Sequence, residues 1–407
     1  IDPPEASHNL GNGITIDSAD DTVVDGAFVF NNTGHGIEVR NSNNVTIRGN
    51  TVSDNGVNCI SLTDVSDSLV ENNIVSNCIE GISLFDSFAN IITKNTVTAT
   101  DQGILLQGDA SIDNSIDGND ASGNVFVGIL AIGLFGNDPS DNDYTNNTLD
   151  ANGVGLGLIS SDLNFVDLNT ITNSVSHGVF VQNADSNLLV LPAVQNSGGD
   201  GVHLISSSNN LITDGQVSNS GANGILISAA SPGSDNNVID NVVLFNNTLN
   251  GIFINNSDNT TISNSELSEN DVCGLDQSNA TNVNLVNNMF VGNTVSPVCE
   301  DAQPTDSDGD GVLDGDDDCP NTAGSAAFNG CLAAILCKVK SNDVKVTGQP
   351  GQQPLEDAVC KSYDKSDACV AARHPDAQAI VEDCVEASFC VTDANGECLM
   401  GVEPAQY

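Results

Sequence analysis

The sequence predicts an all-β rod over residues 1–298, a right-handed parallel β-helix of three sheets and about twelve coils. Three observations lead there. A phrase of Gly, an aliphatic, any residue and usually a second aliphatic returns about every 23 residues, from Gly13, Gly36 and Gly81 on to Gly251 and Gly274, with Cys59 standing in once. Each period holds three short apolar alternations, and polar turns rich in Asn, Asp, Ser and Gly separate them. No segment before residue 300 keeps a helical period. A fixed repeat of this size is one unit stacked on copies of itself, and three strands per unit returning in register make a coil.

The second repeat shows the elements in order: Gly36-Ile37-Glu38-Val39, then Asn44-Val45-Thr46-Ile47, then Asn50-Thr51-Val52. Alternation over three to five residues, bounded by turn formers, is the pattern of a strand with one face buried. At ~4.8 Å between neighbouring strands, twelve coils make a rod roughly 55 Å long. The residue opening the third strand is Asn or Gly in most coils, including Asn50, Asn73, Asn95, Asn119, Asn147 and Asn169. Two roles are expected of this column: a left-handed corner, which Asn and Gly tolerate best, and an amide ladder from coil to coil.

These phrases resemble those of the right-handed parallel β-helix repeat proteins, the wider group of pectin-lyase-like and carbohydrate-binding β-helices. The resemblance implies the fold. It leaves the activity open among polysaccharide lyases, epimerases, tailspikes, adhesins and structural surface proteins, so function rests on sites.

The formal charge is −46, from 55 acidic and nine basic residues, and only Arg40, Arg48 and Lys94 are basic before residue 332. Phosphate contacts need Lys and Arg, so no nucleic-acid partner is expected. No apolar run is long enough for a transmembrane segment. Twelve cysteines beside an acidic loop point to an oxidising compartment, and Ile1-Asp2-Pro3-Pro4 has the look of a mature terminus. A secreted, extracellular or cell-surface protein is expected. Cys59 and Cys78, and Cys273 and Cys299, stand about one coil apart and are candidate disulfides.

Residues 299–331 form a second segment. Asp306, Asp308, Asp310, Asp314 and Asp317, with Gly311 at the turn and the Val312 carbonyl, supply the alternating oxygen ligands that Ca²⁺ takes. With Cys319-Pro320-Asn321 and Cys331 behind it, the loop resembles a thrombospondin type 3 repeat. That resemblance implies a connector stiffened by Ca²⁺ and closed by Cys319 with Cys331. Residues 332–407 hold six of the nine basic residues and six cysteines, a texture expected of a small disulfide-rich module with a short helix over 377–387.

The third residue of each phrase points outward and is the place to look for chemistry. In order it reads Thr15, Glu38, Ser61, Ser83, Leu105, Leu130, Gly157, Phe180, His203, Leu226, Phe253 and Asp276, and the next outward position adds Phe85, Ile132, Ile159 and Ile205. A catalytic groove needs paired carboxylates or a cationic base there, and this column offers the imidazole of His203 alone among apolar groups. The apolar stripe of Phe85, Leu105, Leu130, Ile132, Ile159, Phe180, Ile205, Leu226 and Phe253 is expected to be a contact surface, unless an insertion such as 136–144 or 230–237 covers it. An open first coil invites another chain. The leading expectation is therefore a secreted, non-enzymatic, calcium-stabilised subunit of a self-assembling filament, sheath or surface layer. The competing one is a carbohydrate-active β-helix, an adhesin or a lyase or epimerase, with polysaccharide as partner.

Overall fold

Thirteen strands stack in parallel along one long face of the rod, from Ile14–Asp17 through Ile37–Asn43, Ile60–Ser66 and Glu80–Phe85 to Cys273–Asp276 and Ser296–Cys299. The computed structural model describes residues 4–299, apart from 134–137, 230–232 and 278–279. The chain divides into two units, Ile1–Glu300 and Asp301–Tyr407, and the stacked coils make up the first. No helix occurs among the described residues.

Register is set by like stacking on like. The second phrase position aligns Ile14 on Ile37, Ile60, Ile82, Ile104 and Ile129, and then Leu156, Val179, Val202, Ile225 and Ile252. A second face aligns Val29, Val52, Val75 and Val97, and a third Val24, Ile47, Val70, Ile92 and Ile116. Nearly all of these are fully buried, and together they form one continuous apolar column. A single-residue slip would turn every one of them to solvent, which is why the register holds through the 25- and 27-residue repeats. Tyr144 takes an interior position in the third column, fully buried, and its hydroxyl finds no partner there. Burial pushes its phenol far above the ordinary range.

The phrase-opening glycine is required by close approach rather than by its dihedrals. A Cβ on Gly224 would lie 2.6 Å from the Gly251 carbonyl oxygen and 2.8 Å from Leu244 Cδ2. The strand and the corner residue of the next coil occupy the space of a side chain.

The Asn column forms the expected ladder. Asn50, Asn73, Asn95, Asn119 and Asn147 are buried, and each donates Nδ2 to Oδ1 of the next Asn at 2.9–3.1 Å, ending on Asn169. The left-handed backbone falls one residue earlier, at Gly49, Asn72, Lys94, Gly118, Asn146 and Leu168. The corner therefore splits the two roles: one residue bends and the next hydrogen-bonds. A second ladder runs from Asn90 through Asn114 to Asn142 and from Asn164 through Asn187 and Asn210 to Asn237.

Cys59 is bonded to Cys78 and Cys273 to Cys299, with Cα atoms 5.5 and 6.0 Å apart. Arg48 pairs with Asp25 of the preceding coil at 2.9 Å, although Glu71 of the following coil is also in register with it. The expected calcium ligands Asp306, Asp308, Asp310, Val312, Asp314 and Asp317, the expected pairing of Cys319 with Cys331, and the expected module 332–407 lie outside the described residues, as do the tips of both insertions.

Candidate functional site

The outward stripe is less open than the sequence implies. Leu105 and Leu130 are buried, packed with Val127 into a small apolar cluster that Ile132, Val154 and Ile159 complete. Outward side chains on coils one strand spacing apart cover each other, and the residue before each phrase glycine adds a second row beside them. Phe180, Ile205, Leu226 and Phe253 are half-buried, and among the stripe residues Phe85 stands exposed, at 44%. A continuous greasy surface is thus replaced by a ridge that largely packs on itself.

One gap remains in that ridge. Gly157 takes the outward position between Leu130 and Phe180, and its missing side chain leaves an apolar depression of about 170 Å³. Gln102, Phe126, Val127, Leu130, Val154, Ile159 and Phe180 line the rest of it. A Cβ on Gly157 would already meet Leu130 Cδ1 at 2.8 Å. Phe126 is 60% exposed at the rim.

Beside the depression the face turns polar. The ring of Phe180 stacks on His177 at 5.6 Å between centroids and meets His203 edge-on at 5.6 Å. His203, expected to be the lone imidazole of this face, has two companions. Asp200 Oδ2 lies 3.5 Å from His177 Nδ1 and 3.8 Å from His203 Nδ1. Asp200 Oδ1 accepts both the backbone N–H and the side-chain amide of Asn223, at 3.0 and 2.9 Å. His203 Nε2 lies 3.0 Å from the Ser228 hydroxyl. Burial lowers the His203 pKa below the ordinary imidazole value; the Asp200 charge opposes that shift and His177 adds to it.

His177 and Asp200 escape a reading of the phrase itself because they precede it. The residue before the phrase glycine forms a column of its own: Gln102, Val127 and Val154 are in strand register, and His177, Asp200, Asn223 and Asn250 continue it. In this column an upper residue's amide commonly donates to the side chain below, as Asp200 does to His177 and Asn58 to His35. Aligning that position in the sequence would have exposed both the apolar run and the His-Asp step after it.

Two family models match the chain. The one described as the right-handed β-helix region matches residues 5–143, and the one described as the periplasmic copper-binding protein NosD matches 110–232 and 169–306. With the stacked coils, these matches define the class: a right-handed parallel β-helix solenoid of about twelve turns. Similar solved structures include a variant of the periplasmic alginate epimerase AlgG, at 15% identity over 71% of this chain and 79% of that one, with a TM-score of 0.43. A catalytic domain of an α-1,3-glucanase in complex with tetrasaccharides matches at 15% identity over 72% and 62% of the two chains, TM-score 0.40. The tailspike of an E. coli bacteriophage in complex with a hexasaccharide matches at 11% over 70% and 60%, TM-score 0.41. At these identities the likeness is one of fold. No curated protein matches the chain.

Proposed function

We propose that the protein is an extracytoplasmic carbohydrate-binding β-helix that holds a glycan against its long face. The observation that carries this reading is the depression at Gly157, an apolar floor with Phe126 and Phe180 beside it and a polar cluster adjoining. Sugars present such mixed surfaces in reverse: C–H faces that pack on aromatic rings and hydroxyl edges that need hydrogen-bonding groups. Gln102 is the polar side chain of the depression's own lining, and the His177–His203 cluster adjoins it across the ring of Phe180. The net charge of −46 disfavours a polyanionic chain, so a neutral glycan is the preferred class. The two disulfides agree with a location outside a reducing cytosol, and no helix among the described residues is long and apolar enough to cross a membrane.

The filament reading rested on an exposed apolar stripe and an open first coil, and with Leu105 and Leu130 buried the stripe loses its centre. The Ca²⁺ loop of 306–317 remains part of the proposal as a stiffened connector that follows the coils in sequence.

A glycan array with neutral and acidic polysaccharides tests the reading. Binding of neutral chains is expected, and Phe126→Ala should weaken it about tenfold, the loss of one ring contact of roughly 1.4 kcal/mol. Phe126 is exposed, so the substitution leaves the rod intact. Absence of any glycan binding, or binding indifferent to Phe126→Ala, sinks the assignment.

A further inference from the structure

We propose that His177, Asp200 and His203 form a binding site for a divalent first-row transition ion of the zinc class. The proposal stands apart from the glycan reading and needs no occupant in the depression. Among the described residues this is the one cluster of three His, Cys, Asp or Glu side chains whose ligand atoms all lie within 4.8 Å of one another.

The spacing is close to what a metal requires. Ligands about 2.0–2.1 Å from a tetrahedral ion stand roughly 3.3 Å apart. Asp200 Oδ2 already lies 3.5 and 3.8 Å from the two imidazole Nδ1 atoms, so each of these two pairs needs to close by a few tenths of an ångström, and all three ligand atoms lie within 4.8 Å of one another. The carboxylate is also oriented for the task. Asn223 of the next coil occupies Oδ1 with two hydrogen bonds and leaves Oδ2 turned to the imidazoles, the kind of outer support that metal-binding carboxylates have.

The second observation is an unsatisfied atom. His203 Nδ1 is buried and has no hydrogen-bond partner. If Nδ1 carries the proton, Asp200 Oδ2 at 3.8 Å is too far to accept it. If Nε2 carries it, donating to Ser228, a bare Nδ1 lone pair faces a carboxylate. A cation between the two atoms resolves both cases. The Ser228 contact then fixes the ring orientation from its far side, as outer partners of ligating histidines do.

One contact opposes the ion. His177 Nδ1 accepts the Asp200 amide at 3.3 Å, and His35 accepts the Asn58 amide at 3.4 Å in the same way. That long hydrogen bond is the column's ordinary step, and a metal must displace it. Two imidazoles and one carboxylate suit zinc or copper, whereas calcium prefers an all-oxygen shell. The His177 and His203 side chains are 23% and 15% exposed, so the cluster lies at the face of the rod rather than in its core.

Chelator-treated full-length protein, held in millimolar Ca²⁺ to occupy its many carboxylates, is titrated with Zn²⁺ by calorimetry. One site with micromolar or tighter affinity is expected. His177→Ala and His203→Ala should each weaken it at least tenfold while circular dichroism and Tm stay unchanged. No such site in the wild type, or equal affinity in the variants, overturns the proposal, and the second result would move the ion to the cysteines beyond residue 300. Should the variants fail to fold, Cu²⁺ bound to the wild type decides. Its electron paramagnetic resonance spectrum should show coupling to two imidazole nitrogens, and a spectrum without nitrogen coupling overturns the site.

Discussion

Asp162 and Asp150 are both outward carboxylates, and their surroundings drive them in opposite directions. Partial burial raises the Asp162 pKa, and the charges of Asp185 and Asp138 push the same way; the Asp185 amide, donated to Oδ1 at 2.7 Å, works against them. Asp150 is held below the usual range by the Thr172 hydroxyl and then the Asn173 amide, both at 2.6 Å. For Asp162 the folded pKa exceeds the unfolded one, so the folded chain binds the proton more tightly. Its ionised form costs stability at neutral pH, and the cost fades as pH falls through the folded value. Asp162→Asn keeps an oxygen for the Asp185 amide and removes the charge. A modest rise in Tm at pH 7 is expected, shrinking to nothing near about pH 4, in thermal scans across that range. A rise that persists unchanged at low pH would assign the effect to something other than this charge.

Corners hold the coils together as much as strands do. Asn119 Oδ1 accepts both the backbone and the side-chain N–H of Asn95, and its own Nδ2 reaches the Ile92 carbonyl at 2.8 Å and Asn147 Oδ1. Asn119→Ala leaves those buried groups unpaired, and a loss of about 3 kcal/mol is expected in chemical denaturation. Asn43→Ala, at an exposed position that does not have a left-handed backbone, is the control and should cost far less. The ladder was legible in the sequence because a buried amide repeated every coil leaves a visible column. The division between a bending residue and a bonding residue was not. Asn serves both purposes, and only dihedrals separate Asn72 from Asn73. The His-Asp cluster was hidden for a related reason. His177 and Asp200 stand in the column before the phrase glycine and His203 in the outward one, so neither column alone shows all three.

At the level of the whole chain, charge is the dominant surface term. Fifty-five acidic residues face nine basic ones, and the two Arg–Asp pairs, Arg40 with Asp17 and Arg48 with Asp25, are solvent-exposed and weak. Self-repulsion of this size is screened over about 10 Å at 0.1 M salt. The Tm of the full-length protein should therefore rise as NaCl is raised from about 20 mM to about 500 mM, where the Debye length falls below strand spacing. A flat or falling profile would show that carboxylate repulsion does not limit stability. The rod itself was readable from the 23-residue phrase because its glycine answers to a steric need in each coil that carries it, all but the one opened by Cys59. Its surface was readable only in part, since neighbouring coils decide whether an outward leucine is wet or covered.

The column before the phrase glycine lets such a surface change over generations one coil at a time. Each coil contributes one letter to it, and its backbone contacts run only to the coils above and below. A substitution there rewrites one line of the face without disturbing the text on either side. Insertion of a whole coil between His177 and Asp200 would break the word they spell while leaving the rod grammatical. Proteins built this way acquire and lose recognition by editing lines, and the fold is indifferent to what is written.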